Sequence, residues 1–166
     1  GASYTLGAVP VAGYAVSDAL SGVASQNATL TGGNANGVGS YAYIVTASDM
    51  AGNAASAAAT YSVVYNFSGF LSPVSLDRPF KLGSTVPVKF QLTDAYGSFV
   101  STALAALTIQ MYSNDQPAGD PLEVTSTSGA DTGNAFRYDA TDNQYIYNLS
   151  TDGLSAGTWM LMATLD

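Results

Sequence analysis

Along most of this chain apolar and polar residues alternate with a period of two, and helical periodicity is scarce. Tyr41, Tyr43, Val45 and Ala47 fall on one side of an extended segment, because successive side chains of a strand point to opposite faces. The run Asp49-Met50-Ala51-Gly52-Asn53 follows. Its Asp can bond the backbone ahead of it and its Gly supplies positive φ, so it predicts a turn. Ala55, Ala57, Ala59, Tyr61 and Val63 then line one face of a returning strand. That face is rich in Ala, so the core behind it should be thin unless tyrosines supply the bulk. Upstream, residues 9–16 and 21–30 read as strands and residues 32–39 as a flexible turn region.

Downstream, Val86, Val88, Phe90 and Leu92 alternate cleanly. Pro87 lies among them, cannot donate to a ladder, and predicts an edge or a bulge. Leu107, Ile109 and Met111 form a further face, and residues 122–127, 135–139, 144–149 and 159–165 complete the strand candidates. Turns are expected at 114–119, 128–134, 140–143 and 151–157. The helix candidate is the short run 101–107, STALAAL. Strands at this spacing, with turn residues between them, predict an all-β protein of antiparallel β-sandwiches.

Composition narrows the chemistry. Of 166 residues 47% are hydrophobic, enough for a core, and 10% are charged, far below the usual quarter. Disorder driven by charge is therefore disfavoured. Twelve acidic against four basic residues give a net charge of −8. That argues against nucleic acid and against an anionic membrane surface, both of which require Lys and Arg. It suits calcium, neutral glycans or plain solubility. Cys and His are both absent, which excludes disulfides, the usual zinc sites and Ser-His or Cys-His catalysis. No apolar run is long enough to span a bilayer and no signal peptide is evident, so the chain reads as a piece of a longer export product.

Candidate sites are few. Asp139 and Asp142 could pair as glycosidase carboxylates, but they sit in a turn without an evident cleft, so no catalytic residue is assigned. The run GGNANGVG lacks the Lys and the helix of a phosphate loop. Calcium needs several oxygens. Asp139, Asp142 and Asn143 at one turn are the better candidates, with Asp49 and Asn53 at another and Asp18 near a strand end. The commoner use of such residues is to form the turn itself. Tyr145 and Tyr147 share a strand face, and with Trp159 they offer stacking surfaces for a glycan; the competing reading is core. Lys89 interrupts an apolar strand, either as an outward guard against edge pairing or as an isopeptide donor. Asn27, Asn66 and Asn148 each begin an Asn-x-Ser/Thr sequence.

Two resemblances follow from quoted residues. Tyr4-Thr5-Leu6-Gly7, Tyr14-Ala15-Val16-Ser17-Asp18, Ser21-Gly22-Val23-Ala24-Ser25, Val38-Gly39-Ser40-Tyr41 and Thr46-Ala47-Ser48-Asp49-Met50-Ala51-Gly52-Asn53 resemble bacterial immunoglobulin-like domains of large extracellular proteins. Relatives often carry a Cys pair where this chain has Val16 and Gln26. Tyr65-Asn66-Phe67-Ser68-Gly69-Phe70, Pro73-Val74, Pro87-Val88-Lys89-Phe90, Tyr138-Asp139 and Gln144-Tyr145 resemble the module named for its Pro-x-Lys-Phe motif. That module is a C-terminal piece of secreted or surface proteins.

The resemblance implies two tandem Ig-like antiparallel β-sandwiches, over residues 1–65 and 66–166. A strand before Tyr4 and one after Asp166 would be missing. If the strand ran unbroken from Ala54 to Phe70, the two modules would share a stiff joint. The implied role is a non-catalytic spacer of an extracellular or cell-surface protein, without cofactor unless calcium binds. Its partners would be other domains of the parent protein or copies of itself. The alternatives are a fibre subunit joined by strand donation, a carbohydrate-binding or adhesive module, and an accessory domain of an exported hydrolase.

Overall fold

The computed structural model describes residues 1–74 and 78–166. The chain is all-β, and no helix occurs among the described residues. It divides into two units, Gly1–Asn66 with Asp94–Tyr96, and Phe67–Thr93 with Gly97–Asp166.

The first unit holds one four-stranded sheet. Its strands are β1 (Ala2–Thr5), β2 (Val23–Gly32), β3 (Gly39–Asp49) and β4 (Ala54–Val64), in the order β1-β4-β3-β2. β3 pairs antiparallel with both β2 and β4, whereas β1 runs parallel to β4 and covers only Tyr61–Val64. The expected hairpin forms: Asp49 accepts from Asn53 N–H at 2.8 Å and Gly52 turns at φ 90°. Directly opposed residues share a face. Tyr41, Tyr43, Val45 and Ala47 therefore stand beside Tyr61, Ala59, Ala57 and Ala55.

The bulk gathers at one end of that sheet. Tyr41 stacks on Tyr61 at 5.2 Å, Tyr4 meets Tyr61 edge-on at 5.7 Å, and Val38 and Val63 are buried. Gly33 is required here, since a Cβ on it would overlap the Tyr41 ring. At the other end, Ala54 to Thr60 are all exposed. Residues 1–66 carry this one sheet, without the second sheet of their own that the layering expected of residues 1–65 calls for. Asp18 and Asp49 are the only charged residues of the first 66.

Two expectations for this unit need correction. Residues 9–16 are not a strand: Val11 is fully exposed. Pro10 removes a ladder donor, Ala12, Gly13 and Ala15 have little side chain to bury, and the place beside β4 is taken by β1. Tyr14 leans on the sheet, 6.3 Å from Tyr43, and Val16 is half-buried beside Ala47 and Ala55. The next strand begins at Val23 rather than at 21, because one carboxylate oxygen of Asp18 captures the N–H groups of Leu20, Ser21 and Gly22. β4 ends at Val64 and β5 begins at Asn66, so the condition of an unbroken strand from Ala54 to Phe70 is not met.

The second unit has two sheets. β5 (Asn66–Phe70), β6 (Thr85–Thr93), β9 (Arg137–Asp139) and β10 (Gln144–Ser150) form one, in the order β5-β6-β10-β9. β7 (Ala105–Ser113), β8 (Gln116–Glu123) and β11 (Thr158–Leu165) form the other, in the order β11-β7-β8. The core lies between them. Val86, Val88, Phe90, Leu92, Tyr145, Tyr147 and Leu149 bury from one side, and Ala105, Leu107 and Ile109 from the other.

The proposed helix at 101–107 is instead an irregular run entering β7. Ala103, Ala105, Leu107 and Ile109 are all buried while Leu104 is 73% exposed, so the period of two decides. The turn expected at 114–119 shrinks to Asn114-Asp115, both at φ above 50°, as the tightest hairpins require. Pro87 lies in β6, which is not an edge. It faces Asn148, whose N–H goes to Asp131 and whose C=O goes to Thr127 N–H. Nothing on β10 therefore calls for the donor that proline lacks.

Candidate functional site

Polar chemistry in this chain concentrates at three places: the hydroxyls of the buried tyrosines, the acidic turns, and a carboxylate inside the second unit. β10 carries Tyr145 and Tyr147 on one face, as their spacing predicts, but that face is the core. Tyr145 is 1% exposed and Tyr147 is 0% exposed. The Tyr145 ring stacks on Phe90 at 5.0 Å. Its hydroxyl donates to Val100 C=O and accepts from Ala103 N–H, each at 3.0 Å. Tyr147 donates to Gly133 C=O at 3.0 Å. Burial pushes both phenols above their ordinary value. Trp159 stands on β11, in the other sheet, paired with Met111, and its indole N–H donates to Ser155 C=O. The three rings proposed for glycan stacking thus do not form a surface, because inward positions of a sandwich strand fill with the largest apolar groups. Tyr145→Phe should cost about 1–2 kcal/mol, since it leaves the buried Ala103 N–H and Val100 C=O without their partner. Urea denaturation followed through Trp159 fluorescence measures it.

The acidic turns are built as turns. Asp139 accepts from Thr141 N–H at 3.0 Å, and the Gln144 amide donates to both Asp139 and Asp142. Asn143 adopts φ 51° and accepts from the Tyr138 hydroxyl. The structure therefore does bring Asp139 and Asp142 together, with an amide donor between them, while Asn143 turns to a tyrosine. The Thr141 N–H, and then Gln144, hold the Asp139 carboxyl below the usual range. At the first unit's hairpin, both carboxylate oxygens of Asp49 are taken by Asn53, which lowers its pKa. The N–H groups of Gly22 and Ser21 do the same for Asp18. Asp18, Asp49 and Asn53 border one shallow depression. Among the described residues no three His, Cys, Asp or Glu side chains cluster.

The third place escaped the sequence reading. The Asp131 side chain is fully buried. It accepts from Ser126 Oγ at 2.6 Å, from the backbone N–H of Asn148 at 3.0 Å and from Arg137 Nε at 3.0 Å. β9 covers β10 only as far as Ile146. Beyond that point Thr125, Ser126 and Thr127 take over beside β10, and Asp131 supplies the acceptor for Asn148. A side chain thus continues the sheet where a strand has ended. Residues 128–134 read as a turn in sequence. The available signal was an isolated Asp-x5-Arg pair in a chain with so few charges.

No family model, curated protein or solved structure matches the chain significantly.

The remaining candidates are scattered. Lys89 lies opposite Ile146 in an interior strand, so it guards no edge. Asn27 is exposed on β2, Asn66 is exposed at the start of β5, and Asn148 is half-buried within β10. No helix among the described residues is long and apolar enough to cross a membrane.

Proposed function

We propose that this chain is a non-catalytic structural module of an extracellular or cell-surface protein, serving as a spacer. The observation that carries this reading is where its polar chemistry is spent. Asp18, Asp49 and Asp139 close turns, Tyr145 and Tyr147 clasp loops to a strand, and Asp131 splices a sheet. Thr151 adds another clasp, accepting from Ser84 N–H at 2.9 Å and donating within the same loop to Lys81 and Ser84 carbonyls. Groups placed this way resist deformation of the fold rather than meet a ligand. The extracellular setting comes from the resemblance to Ig-like and Pro-x-Lys-Phe modules, and the lack of Cys is compatible with it.

The test is mechanical. The chain is tethered by its two ends in an optical trap and pulled. Abrupt, reproducible lengthening steps, one for each unit, are the expected result. Smooth extension from the lowest forces would sink the spacer reading, because a body that yields gradually holds nothing at a distance.

A further inference from the structure

β2 is an edge strand of ten residues, eight of them exposed. An edge strand presents a row of unpaired N–H and C=O groups, and proteins blunt such rows with charge, proline, bulges or brevity. This chain does so elsewhere. β8 carries Pro117, Pro121, Asp120 and Glu123, β9 has three residues including Arg137 and Asp139, and β5 has five. The sequence of β2, VASQNATLTG, contains neither charge nor proline. Its irregularities are a register shift between Val23 and Ser25 and the positive φ of Gly32 at its end, which leave the run from Ser25 to Thr31 regular. β11 is uncharged too, but Trp159 to Ala163 are half-buried there.

We propose that β2 pairs antiparallel with β2 of a second copy of this chain, about a two-fold axis through Ala28, joining the two first-unit sheets into one. The occupant of such an edge must be an extended strand, and three features select this one. Register comes first: Ser25 would face Thr31 of the second copy, Gln26 would face Leu30, and Asn27 would face Thr29. Every such pair is uncharged; on one face they are hydroxyls and an amide, which within the single chain bond to Ser48, to one another and to Ala42 C=O.

The faces come second. A two-fold axis perpendicular to the sheet keeps the apolar face of Tyr43, Val45 and Ala57 on the same side in both copies. A reversed copy set against the unpaired stretch of β4 would turn its sheet over and lay that face beside Thr46 and Ser56.

Charge decides the direction. Asp18 and Asp49 both lie at the Val23 end, Asp49 being paired with Val23 and Asp18 bound to Gly22 N–H. Antiparallel pairing sends the two acidic ends about 30 Å apart, several screening lengths of about 8 Å. Parallel pairing, or stacking β4 on β2 in the same direction, would bring them to the strand spacing of about 5 Å. This inference does not rest on the spacer reading.

The experiment is light scattering on a dilution series of the whole chain, with three variants. The unaltered chain should pass from dimer to monomer on dilution. Thr29→Lys, at an exposed position, should weaken the dimer by about tenfold or more through a charge set into the pairing. Ala28→Cys, the sole cysteine, should give a covalent dimer on mild oxidation, since residues opposed across the axis lie within disulfide reach. Ala58→Cys on the unpaired stretch of β4 should not. A monomer at every concentration overturns the proposal. So does a dimer indifferent to Thr29→Lys, a polymer, or cross-linking through Ala58→Cys in place of Ala28→Cys. If circular dichroism shows Thr29→Lys to be misfolded, the two cysteine variants decide.

Discussion

Replacing Phe90 with alanine should lower the stability of the second unit by about 4 kcal/mol, the largest loss expected from a single truncation in this chain. Phe90 has no exposed surface. Its ring meets Phe136 at 4.8 Å, Tyr145 at 5.0 Å, Phe67 at 5.5 Å and Phe70 at 6.1 Å. The cost combines the transfer of the ring to water with the void left among four rings that cannot all collapse into it. β6 is interior to its sheet, which limits backbone adjustment. Trp159, the only tryptophan, lies in β11 of the same unit and reports its unfolding in guanidinium. An unchanged denaturation midpoint would mean that this cluster does not organise the core. Phe90→Leu should recover a good part of the loss, because it restores volume though not the edge-on ring contacts.

Asp131→Ala should cost about 3 kcal/mol. Truncation leaves the Asn148 N–H without its acceptor, removes the shorter of the two bonds of the Ser126 hydroxyl, which keeps Asn148 C=O at 3.1 Å, and frees the Arg137 guanidinium. Arg137 is 38% exposed on its side chain, so water replaces its share, and Arg137→Ala alone should cost clearly less. In a double-mutant cycle, Arg137→Ala should cost almost nothing once Asp131 is gone. Equal and additive costs would contradict the arrangement described.

The same carboxylate sets a pH dependence. Burial acts to raise the pKa of Asp131, but the Ser126 hydroxyl, the Asn148 N–H and Arg137 together outweigh it and hold the group below its ordinary value of 3.8. A depressed folded pKa means that the contribution is present in full above the unfolded value. It fades as pH falls through the lower folded one. The stability difference between the native chain and Asp131→Asn should therefore be constant near neutrality and shrink from about pH 4 downward. Denaturant titrations at a series of acidic pH values measure it.

Much of this architecture was legible because strand periodicity is a local signal. Val86, Val88, Phe90 and Leu92, and the Asp49–Asn53 hairpin, announce themselves within a few residues. Legibility failed where a distant group intervened. Pro87 looked like an edge residue because its relief comes from far along the chain, where the Thr127 N–H and the Ser126 hydroxyl take the Asn148 C=O, the acceptor opposite it. Residues 9–16 alternate correctly yet find no strand to pair with, and alternation cannot reveal that a place is taken. The tyrosines of β10 were placed on the right common face, but spacing does not say whether that face meets water or Phe90. Asp131 itself was invisible, since a buried carboxylate and a turn aspartate are the same letter until Ser126, Arg137 and Asn148 converge on it.

The first sheet is fastened unevenly, with rings at one end and alanines at the other. Opposing Tyr41 and Tyr61 can meet in only one alignment, whereas a ladder of Ala55, Ala57 and Ala59 would accept several. The alanine half therefore inherits its alignment from the tyrosine half instead of encoding its own. Descendants of this sequence can repaint that stretch freely, changing its texture without changing which residue stands opposite which, so long as the rings stay. A family diverging from it would look variable along most of β4 and fixed at one end, though the fold had not moved.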